Sequence, residues 1–539
     1  MRVLGVEGTA WAASAAVYDT ETDAVTIESE AYEPDSGGLH PREAAEHMRE
    51  HVPEVVGRAL DAADGPIDAV AFSQGPGLGP CLRVAASAAR AAALTLDVPL
   101  VGVNHMVAHL EIGRHQSGFD APVCLNASGA NAHVLAYRGG RYRVLGETMD
   151  TGVGNAIDKF TRHLGWSHPG GPKVEKRARE GEYVALPYVV KGMDFSFAGL
   201  SSAAQEAVDD GVPVADVCRG LEETVFAMLT EVAERALSLT GRDELVLGGG
   251  VGQNDRLCGM LAEMCEARDA EFFAPDARFL RDNAGMIAIL GAKMARAGDT
   301  VAVEDSRVRP DFRPDEVPVS WRAPDPPPVS PGSGPVRGAE AEVTVVGDGA
   351  RVRKVRGSKA YRHPSLDDRL RRDRTVLEAR LTAEARRHGV PTPVVVDVDV
   401  PERTLEFEHV GESDLRDALT TERVAATGAH LATLHGAGLV HGDPTTRNVR
   451  VAPGEASVAD TGADARCYLI DFGLGYHSDD VEDFAMDLHV LRGSVTGTAD
   501  DPDPLLDAVV ETYRERGDSA VLDRLAGIEG RGRYQGDRA

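Results

Sequence analysis

The chain has 539 residues, a formal net charge of −29 and a pI near 5.0. A chain of this length is expected to form two or more domains, each with its own hydrophobic core. The acidic balance argues against general nucleic-acid binding, so any such contact requires a local basic patch. Seven lysines stand against fifty arginines and 86 acidic residues, which suggests a surface hydrated in high salt and a halophilic archaeal source. An acidic protein from a GC-rich genome is the alternative explanation.

The cysteine pattern and the N-terminus indicate a cytoplasmic protein. Six cysteines are scattered without a Cys-x-x-Cys pair, as expected for reduced thiols. Residues 1–6 are typical of a strand rather than a signal peptide. No uncharged apolar run reaches the roughly 20 residues that span a bilayer. We therefore expect no membrane partner.

An approximate internal duplication is predicted in the first 150 residues. Three short strands and a helix open the chain, and a second group of three strands follows after residue 120. This repetition favours two α/β lobes with a nucleotide cleft between them. The predicted strands are 2–6, 14–18, 25–32, 67–72, 98–103, 121–128, 134–137 and 142–148, and the predicted helices are 41–63 and 84–96, the latter after a Gly/Pro loop at 75–83.

His105 and His109 open a predicted helix after the strand 98–103. Two histidines four residues apart lie on one helix face and can bind one metal ion, although ordinary histidines also occur at this spacing. The zinc-protease helix has a glutamate after its first histidine, whereas Met106 stands here and cannot take a proton. Asp282, at the start of a later helix, is a candidate third ligand, and a helix N-cap is its alternative role.

Two carboxylates and two glycine turns are candidates for a nucleoside site. Asp158 at a helix start and Glu175 in the Gly/Pro loop 168–175 could accept hydrogen bonds from ribose hydroxyls. Gly171 could let the backbone approach a ligand, and the turn 248–254 after a buried strand could hold an adenosine. Helix capping or solvation is the alternative for both carboxylates.

Residues 317–335 contain seven prolines, which predicts an extended, semi-flexible linker. The predicted organisation is a first domain at 1–317, a linker at 318–336 and a second domain at 337–539.

The second domain contains an ordered set of residues suited to phosphoryl transfer. Such a site needs a lysine on the phosphates, a glutamate that holds it, a base, and asparagine and aspartate ligands for Mg²⁺. These types occur in order at kinase-like spacing, after a turn between strands at 338–344. They are Lys354, Glu378, Asp443, Asn448 and Asp471.

A basic segment at 351–387 carries an excess of eight positive charges within the acidic chain. It is interpreted as a docking patch for the acidic first domain or for RNA, or as a solvated helix face.

At this point the residues resemble two known families. The first domain resembles the archaeal and eukaryotic tRNA adenosine threonylcarbamoyltransferase of the KEOPS complex. The second resembles the small RIO-like atypical serine/threonine kinase of that complex, and fusions of the two are known in archaea. The motifs are 5–10, 75–83, 105–109, 128–131, 156–160, 169–175, 194–200, 248–254 and 281–286, then 338–341, 361–367, 441–443 and 471–473.

The first resemblance implies a duplicated, two-lobed actin/hexokinase-like ATPase fold. It implies transfer of threonylcarbamoyl from threonylcarbamoyl-adenylate, made by a separate synthase, to N6 of adenosine 37 in ANN-decoding tRNAs. It implies a metal, iron first and zinc as the alternative, held by His105, His109, Asp282 and a residue at position 126. The implied adenylate contacts are Asn126, Ala127, Ser128, Gly129, Ala130, Asp158, Gly171, Glu175 and Asn254.

Two positions depart from the family pattern. Asn126 stands where the family usually has a tyrosine, which puts a phenolate ligand in doubt. Trp11 replaces a polar residue often found after the first turn.

The second resemblance implies a small bilobal protein-kinase-like α+β domain that acts as a kinase or as an ATPase supporting the transferase. Asp443 resembles the proton acceptor, and Asn448 and Asp471 resemble the Mg²⁺ ligands. The implied ATP contacts are Gly338, Ala339, Glu340, Ala341, Lys354 and Glu378. The Ala-Pro-Glu segment is missing, so a peptide-binding lobe is not expected, and the basic end 531–534 resembles a tail that reaches tRNA.

The implied partners are tRNA, ATP, and the small dimerising and kinase-binding subunits of the complex. Two rival functions remain open from the sequence: a metalloprotease, and a signalling kinase fused to a sugar-kinase-like ATPase.

Overall fold

Two five-stranded sheets with the same connectivity form the core of residues 1–323. The computed structural model describes residues 1–32, 39–129, 131–323, 336–347, 349–452 and 466–529. The first sheet has the order β3-β2-β1-β4-β5. Its elements in chain order are β1 (Arg2–Glu7), β2 (Ala12–Asp19), β3 (Ala24–Ala31), α1 (Pro41–Asp61), β4 (Ala69–Gly75), α2 (Gly79–Leu96), β5 (Leu100–Asn104) and α3 (His105–Ser117).

The second sheet repeats this plan and has the order β12-β11-β6-β7-β8. Its strands and helices are β6 (Val123–Ala127), β7 (Ala132–Arg138), β8 (Arg141–Glu147), α4 (Val153–His163), α5 (Gly171–Ala178), β9 (Val190–Lys191), β10 (Asp194–Phe195), α6 (Ala198–Asp209), α7 (Val214–Thr240), β11 (Glu244–Gly248), α8 (Asp255–Ala267), β12 (Glu271–Phe273), α9 (Ala277–Leu280) and α10 (Ala284–Ala297). Short 3₁₀ turns lie at Gly250–Gln253, Val303–Asp305 and Pro314–Glu316.

The strand pairings confirm the predicted duplication. β1 is antiparallel to β2 and parallel to β4, and β6 is likewise antiparallel to β7 and parallel to β11. Each sheet then adds one antiparallel strand on one side and one parallel strand on the other. Parallel strands place their carboxyl ends at one edge, where open α/β sheets bind ligands.

Helix α10 lies against the first sheet at very short range, and glycine makes this possible. A Cβ on Gly5 in β1 would lie 2.5 Å from the carbonyl oxygen of Ala284, and one on Gly291 would lie 2.3 Å from the Cβ of Ala71. The close approach holds the start of α10 at the carboxyl end of β1. Because α3 starts directly after β5, the N-termini of α3 and α10 meet at that edge.

Residues 336–529 form an antiparallel sheet followed by a mainly helical part. The sheet has the order β13-β14-β15-β17-β16, and two small sheets pair β18-β20-β21 and β19-β22. The elements are β13 (Val336–Arg337), β14 (Glu342–Val346), β15 (Arg351–Val355), α11 (Pro364–Arg387), β16 (Val395–Asp399), β17 (Thr404–Glu408), β18 (Ser413–Asp414), a 3₁₀ turn (Leu415–Asp417), α12 (Thr421–Gly436), β19 (Leu439–Val440), β20 (Val449–Val451), β21 (Cys467–Leu469), β22 (Tyr476–His477), α13 (Val481–Thr498), α14 (Asp503–Arg516) and α15 (Ser519–Glu529).

Two predicted loops are in part helical, and this is a correction. The segment 75–83 already enters α2 at Gly79, and the segment 168–175 enters α5 at Gly171, so Glu175 lies on a helix. In both cases a proline occupies the first turn of the helix. Proline fits there because the first helical N–H groups have no partner within the helix.

The start of the predicted linker is anchored to a core that both sheets share. Val319 and Trp321 pack against the core that contains Val317, and Arg322 forms an ion pair with the buried Glu111 at 3.4 Å. Residues 324–335 and 531–534 lie outside the described residues. Among the helices that the structure describes, none combines the length and apolar character needed to cross a membrane.

Candidate functional site

The N-terminus of α3 presents His105 and His109 to Asp282. The Asn104 side-chain oxygen accepts hydrogen bonds from the backbone N–H groups of Met106 and Val107, both at 3.0 Å, which fixes the first helical turn. Asp282 Oδ1 lies 3.4 Å from His105 Nε2 and 3.7 Å from His109 Nε2. These three side chains each offer one ligand atom within 4.8 Å of the others. The arrangement is therefore a possible metal site.

Asp282 does not cap α10, so the alternative proposed for it is wrong. Asn283 is the N-cap, and its side-chain oxygen accepts a hydrogen bond from Met286 N at 3.1 Å. The Asp282 carboxylate instead accepts a hydrogen bond from Thr9 Oγ1 at 3.4 Å. Its other oxygen is left to the two histidines.

Glu7, at the end of β1, orients His105. It is fully buried, and its Oε2 lies 3.1 Å from His105 Nδ1 while its Oε1 accepts a hydrogen bond from Thr9 N. Burial would lower the pKa of His105, but the carboxylates of Glu7 and Asp282 outweigh it and raise the pKa to about 10. Two carboxylates around one imidazole therefore hold excess negative charge that a proton or a bound cation can balance.

A buried acceptor without a partner supports a metal at this position. Asn126 is buried, and its Oδ1 has no hydrogen-bond partner among the described residues. The Asn126 amide nitrogen donates to the Met106 sulfur at 3.6 Å. A Cβ on Gly248 would lie 3.2 Å from Asn126 Oδ1 and 3.4 Å from His109 Cβ, so the two side chains flank the same glycine. Imidazole nitrogens and carboxylate or amide oxygens fit a divalent iron or zinc ion.

The predicted adenylate residues lie around the second lobe but differ in their availability. Ser128 closes a tight turn by donating to Asn131 O at 2.8 Å, and the backbone of Gly129 accepts from Asn155 N at 2.9 Å. A Cβ on Gly249 would lie 2.2 Å from the Ala127 carbonyl oxygen. The strand end at Ala127 is thus enclosed by the glycine turn and α4. Ala130 lies outside the described residues.

Asp158, Glu175 and Asn254 already have protein partners. Asp158 Oδ1 accepts a hydrogen bond from Gly170 N at 2.7 Å, and Glu175 forms an ion pair with Arg179 at 2.9 Å. Asn254 caps α8, and its amide donates to Glu222 Oε1 at 3.2 Å. Carboxylate oxygens have further lone pairs, so these contacts do not prevent Asp158 or Glu175 from accepting from a ligand.

Sequence reasoning missed Glu222 and the position of Trp11. Glu222 is a buried carboxylate beside Asn254, and burial raises its pKa to about 7. Trp11 from the first lobe stacks on His168 from the second, with 5.2 Å between ring centroids and a 9° interplanar angle. This stack is therefore a direct contact between the two lobes. Glu222 had no sequence signal, because an acidic residue in a long helix usually faces water.

The second candidate site is a cavity of about 260 Å³ between the antiparallel sheet and the helical part of residues 336–529. Lys354 Nζ lies 2.9 Å from Glu378 Oε1 and 2.8 Å from Asp471 Oδ1. Asn448 donates through its amide to Asp443 Oδ2 at 2.8 Å. The five residues predicted from their order are therefore brought together in one cavity.

The turn at Gly338–Ala341 forms one wall of this cavity. Gly338 N donates to Ala341 O at 2.9 Å, and Ala339 lies between them. Glu340 is not free to face a nucleotide, because Arg235 and Arg374 both hold its carboxylate. The backbone of this turn, rather than the Glu340 side chain, is positioned to meet a ligand.

Helix α7 of the first part also reaches this cavity, which the sequence did not indicate. Arg235, Ser238 and Leu239 of α7 are among the lining residues, and Met193 between β9 and β10 joins them. Arg235 Nη1 lies 2.7 Å from Asp443 Oδ2. Burial raises the pKa of Asp443 to about 7. The positive charge of Arg235 opposes this rise, and the negative charge of Asp471 adds to it.

The basic segment docks on α7, in agreement with the docking interpretation. Arg362 and Arg374 bind the buried Glu231 at 2.7 and 3.0 Å, and Lys359 binds Glu234 at 2.5 Å. These pairs join residues more than 120 positions apart in the chain. Both acidic partners are buried side chains of α7.

Comparison with known proteins agrees with this geometry. Residues 22–289 match the TsaD family, tRNA N6-adenosine threonylcarbamoyltransferase. The proteins from Halobacterium salinarum, Haloarcula marismortui and Methanospirillum hungatei are 71%, 66% and 50% identical to the chain. The matches cover 100% of the chain for the first protein and 99% for the other two. They cover 99%, 100% and 99%, in the same order, of the relatives' own lengths. Each is named "Probable bifunctional tRNA threonylcarbamoyladenosine biosynthesis protein".

The fold, the histidine site and these matches define a tRNA-modifying threonylcarbamoyltransferase. The chain belongs to the family of bifunctional tRNA threonylcarbamoyladenosine biosynthesis proteins, and it functions in threonylcarbamoyladenosine formation in tRNA. The names of these relatives agree with the transferase prediction rather than with a metalloprotease or with a signalling kinase fused to a sugar-kinase-like ATPase.

Proposed function

We propose that residues 1–317 transfer threonylcarbamoyl from threonylcarbamoyl-adenylate to N6 of adenosine 37 of ANN-decoding tRNAs, at the site of His105, His109 and Asp282. The convergence of these three side chains at the carboxyl edge of the first sheet carries the proposal. We further propose that this part has an actin/hexokinase-like fold, for which the repeated strand order is the support.

His105, His109 and Asp282 would hold an iron ion, with zinc as the alternative, and Asn126 Oδ1 would offer a fourth ligand. The bound ion would supply an electrophilic centre close to the carbamoyl carbonyl. Glu7 keeps His105 in the orientation that turns Nε2 toward Asp282. The donor set and the unpartnered Asn126 oxygen support this assignment.

The protein residues of the cleft would hold the adenylate while the tRNA amine attacks. Asp158 and Glu175 would accept hydrogen bonds from ribose hydroxyls, and Asn254 would contact the nucleoside. Gly171 leaves open space where a side chain would stand, and the backbone of residues 127–129 would face the acyl-phosphate. An aromatic amine is a weak nucleophile, so positioning by these groups supplies much of the acceleration.

Formation of the modified nucleoside by mass spectrometry tests the transferase proposal. The reaction contains tRNA, threonine, bicarbonate, ATP, the synthase, the full chain and its companion subunits. We expect His105→Ala and His109→Ala to abolish the product. His115→Ala is the matched control, because His115 lies on the same helix but pairs with Asp23 at 2.9 Å, away from the site. Product formation at the unsubstituted rate in His105→Ala would refute the assignment.

We also propose that residues 337–539 form a small bilobal protein-kinase-like domain, joined through residues 318–336, that hydrolyses Mg-ATP to support the transferase. Lys354 would contact the phosphates while Glu378 holds its ammonium group, the turn 338–341 would cover ATP, and Asp443 would accept the proton. Asn448 and Asp471 would bind Mg²⁺. The Lys354–Glu378 pair at 2.9 Å supports this proposal.

Release of phosphate from Mg-ATP by the full chain tests this second activity. We expect Asp443→Asn to lose it, whereas Asp417→Asn, an exposed carboxylate near the same cavity, retains it. Equal rates for Asp443→Asn and the unsubstituted chain would rule out the proposed role of Asp443. The proposed partners are the small dimerising and kinase-binding subunits, and the six unpaired cysteines suit a cytoplasmic protein.

A further inference from the structure

Arg235 crosses from the transferase part into the ATP cavity. It lies on α7, and its side chain is 7% exposed. Its guanidinium contacts Asp443 Oδ2 at 2.7 Å, Glu340 Oε1 at 2.5 Å and Glu231 Oε1 at 3.0 Å. Among the described residues of 1–323 that line the cavity, Arg235 alone carries a charge.

The two oxygens of Asp443 have different surroundings. Oδ2 accepts hydrogen bonds from Arg235 at 2.7 Å and from the Asn448 amide at 2.8 Å. Oδ1 is buried, belongs to a cavity-lining residue and has no partner among the described residues. Two donors on one oxygen fix the carboxylate plane and leave the other oxygen as an oriented acceptor.

We propose that Arg235 is a positioning residue for ATP hydrolysis in the second domain: the transferase part supplies, within the same chain, the cation that holds Asp443 with Oδ1 directed to the attacking water. The inference rests on the proposed ATPase function. In the step itself, the water oxygen bonds to the γ-phosphorus while the bond from that phosphorus to the β–γ bridging oxygen breaks. ADP leaves with the electron pair, and Asp443 Oδ1 takes the proton from the water.

The opposite interpretation is that Arg235 restrains the site by neutralising Asp443. The contacts of Lys354 and of Asp443 Oδ1 favour the positioning role. Lys354 is already paired with Glu378 at 2.9 Å, which is the ion pair that phosphoryl transfer requires. A restraint would have to engage both carboxylate oxygens of Asp443, yet Oδ1 has no partner among the described residues.

Arg416 is a matched control for Arg235. It also joins the two parts of the chain, by donating to the Leu239 carbonyl oxygen at 3.2 Å. It contacts Asp417 rather than Asp443 and is not among the residues that line the cavity. Loss of Arg416 therefore removes an interdomain contact without touching the proposed proton acceptor.

The experiment measures steady-state Mg-ATP hydrolysis by the full chain with its companion subunits, for Arg235→Ala, Arg235→Lys and Arg416→Ala. We expect Arg235→Ala to lower kcat by about 10- to 100-fold, because Asp443 remains but is no longer held in one orientation. KM for ATP should stay within about threefold. Arg235→Lys should recover part of kcat, because the ammonium keeps the charge but not the guanidinium fork. Arg416→Ala should hydrolyse ATP within about twofold of the unsubstituted chain.

A kcat for Arg235→Ala equal to or above that of the unsubstituted chain would overturn the proposal, and an increase would identify a restraint. An equal loss in Arg416→Ala would also overturn it, because domain contact in general would then be the cause. If Arg235→Ala does not fold, Arg235→Gln is compared with Arg235→Lys instead. The proposal then requires that kcat falls further in Arg235→Gln than in Arg235→Lys. Asp443→Asn distinguishes failure of the positioning role from failure of the proposed ATPase function. If the ATPase function is wrong, Asp443→Asn releases phosphate at the rate of the unsubstituted chain.

Discussion

Replacing Asp194 by asparagine should stabilise the protein at neutral pH. Asp194 in β10 is buried, accepts a hydrogen bond from Glu147 N at 2.8 Å, and lies 3.5 Å from His489 Nε2 on α13. Burial raises the pKa of Asp194 from 3.8 to about 6, against the opposing effect of His489. The folded protein therefore favours the protonated carboxyl, and the ionised form carries a cost above pH 6.

A shift of about two pKa units corresponds to a cost of about 3 kcal/mol once Asp194 is ionised in both the folded and unfolded states. The full cost applies above pH 6, the pKa of Asp194 in the folded protein. It disappears as the pH falls toward 3.8, the pKa of the group in the unfolded chain. Asparagine keeps the Oδ1 acceptor for Glu147 N and has no charge. Asp194→Asn should therefore unfold at a higher temperature than the unsubstituted chain at pH 8, and the difference should vanish near pH 4.

Thermal unfolding of both proteins from pH 4 to pH 8 at constant ionic strength measures this effect. Asp483→Asn is the control of opposite sign, because Lys191 at 2.6 Å and other donors outweigh burial and lower the pKa of Asp483. Its stabilisation is present above the unfolded pKa and is lost on acidification, so Asp483→Asn should destabilise most at neutral pH. If Asp194→Asn lowered the midpoint at pH 8, the contacts of the ionised carboxylate would outweigh the cost of its burial and the reasoning would be wrong.

Three further predictions concern the interface, the metal site and salt. Glu231→Gln should destabilise the chain by about 3–5 kcal/mol, because Glu231 is buried among Arg235, Arg362 and Arg374; an unchanged unfolding midpoint would show that these pairs contribute little. Asn126→Ala should weaken iron or zinc binding at least about tenfold in equilibrium dialysis, and an unchanged affinity would remove Asn126 from the ligand set. The unfolding midpoint should rise between 0.1 and 2 M KCl, because salt shortens the screening length from about 10 Å to below 3 Å in a chain of net charge −29; a constant or falling midpoint would contradict this.

The sequence was informative where the chemistry depends on local spacing. His105 and His109 are four residues apart on one helix, so their common face followed from helical geometry alone. The order of Lys354 to Asp471 likewise indicated the second site before any fold was known. Confirmation that Asp282 joins the histidines needed the structure, because the contact depends on how α10 lies against β1 across the glycines.

Long-range burial of charge could not be predicted. Arg235 and Asp443 are 208 positions apart, and nothing local marks a helical arginine as a neighbour of a distant carboxylate. The contact between Glu7 and His105 likewise spans 98 positions. The helix starts at Gly79 and Gly171 were missed for a local reason: proline suggests a loop, yet it also fits the first turn of a helix.

Single-turnover transfer from pre-formed threonylcarbamoyl-adenylate to tRNA, with bound metal counted in the same preparation, tests the central claim most directly. It isolates the histidine site from adenylate synthesis and from ATP hydrolysis. We predict that Asp282→Asn loses both bound metal and transfer, whereas Asp276→Asn, an exposed aspartate six residues earlier, retains both. Transfer by Asp282→Asn at the rate of the unsubstituted chain would contradict the assignment of the site.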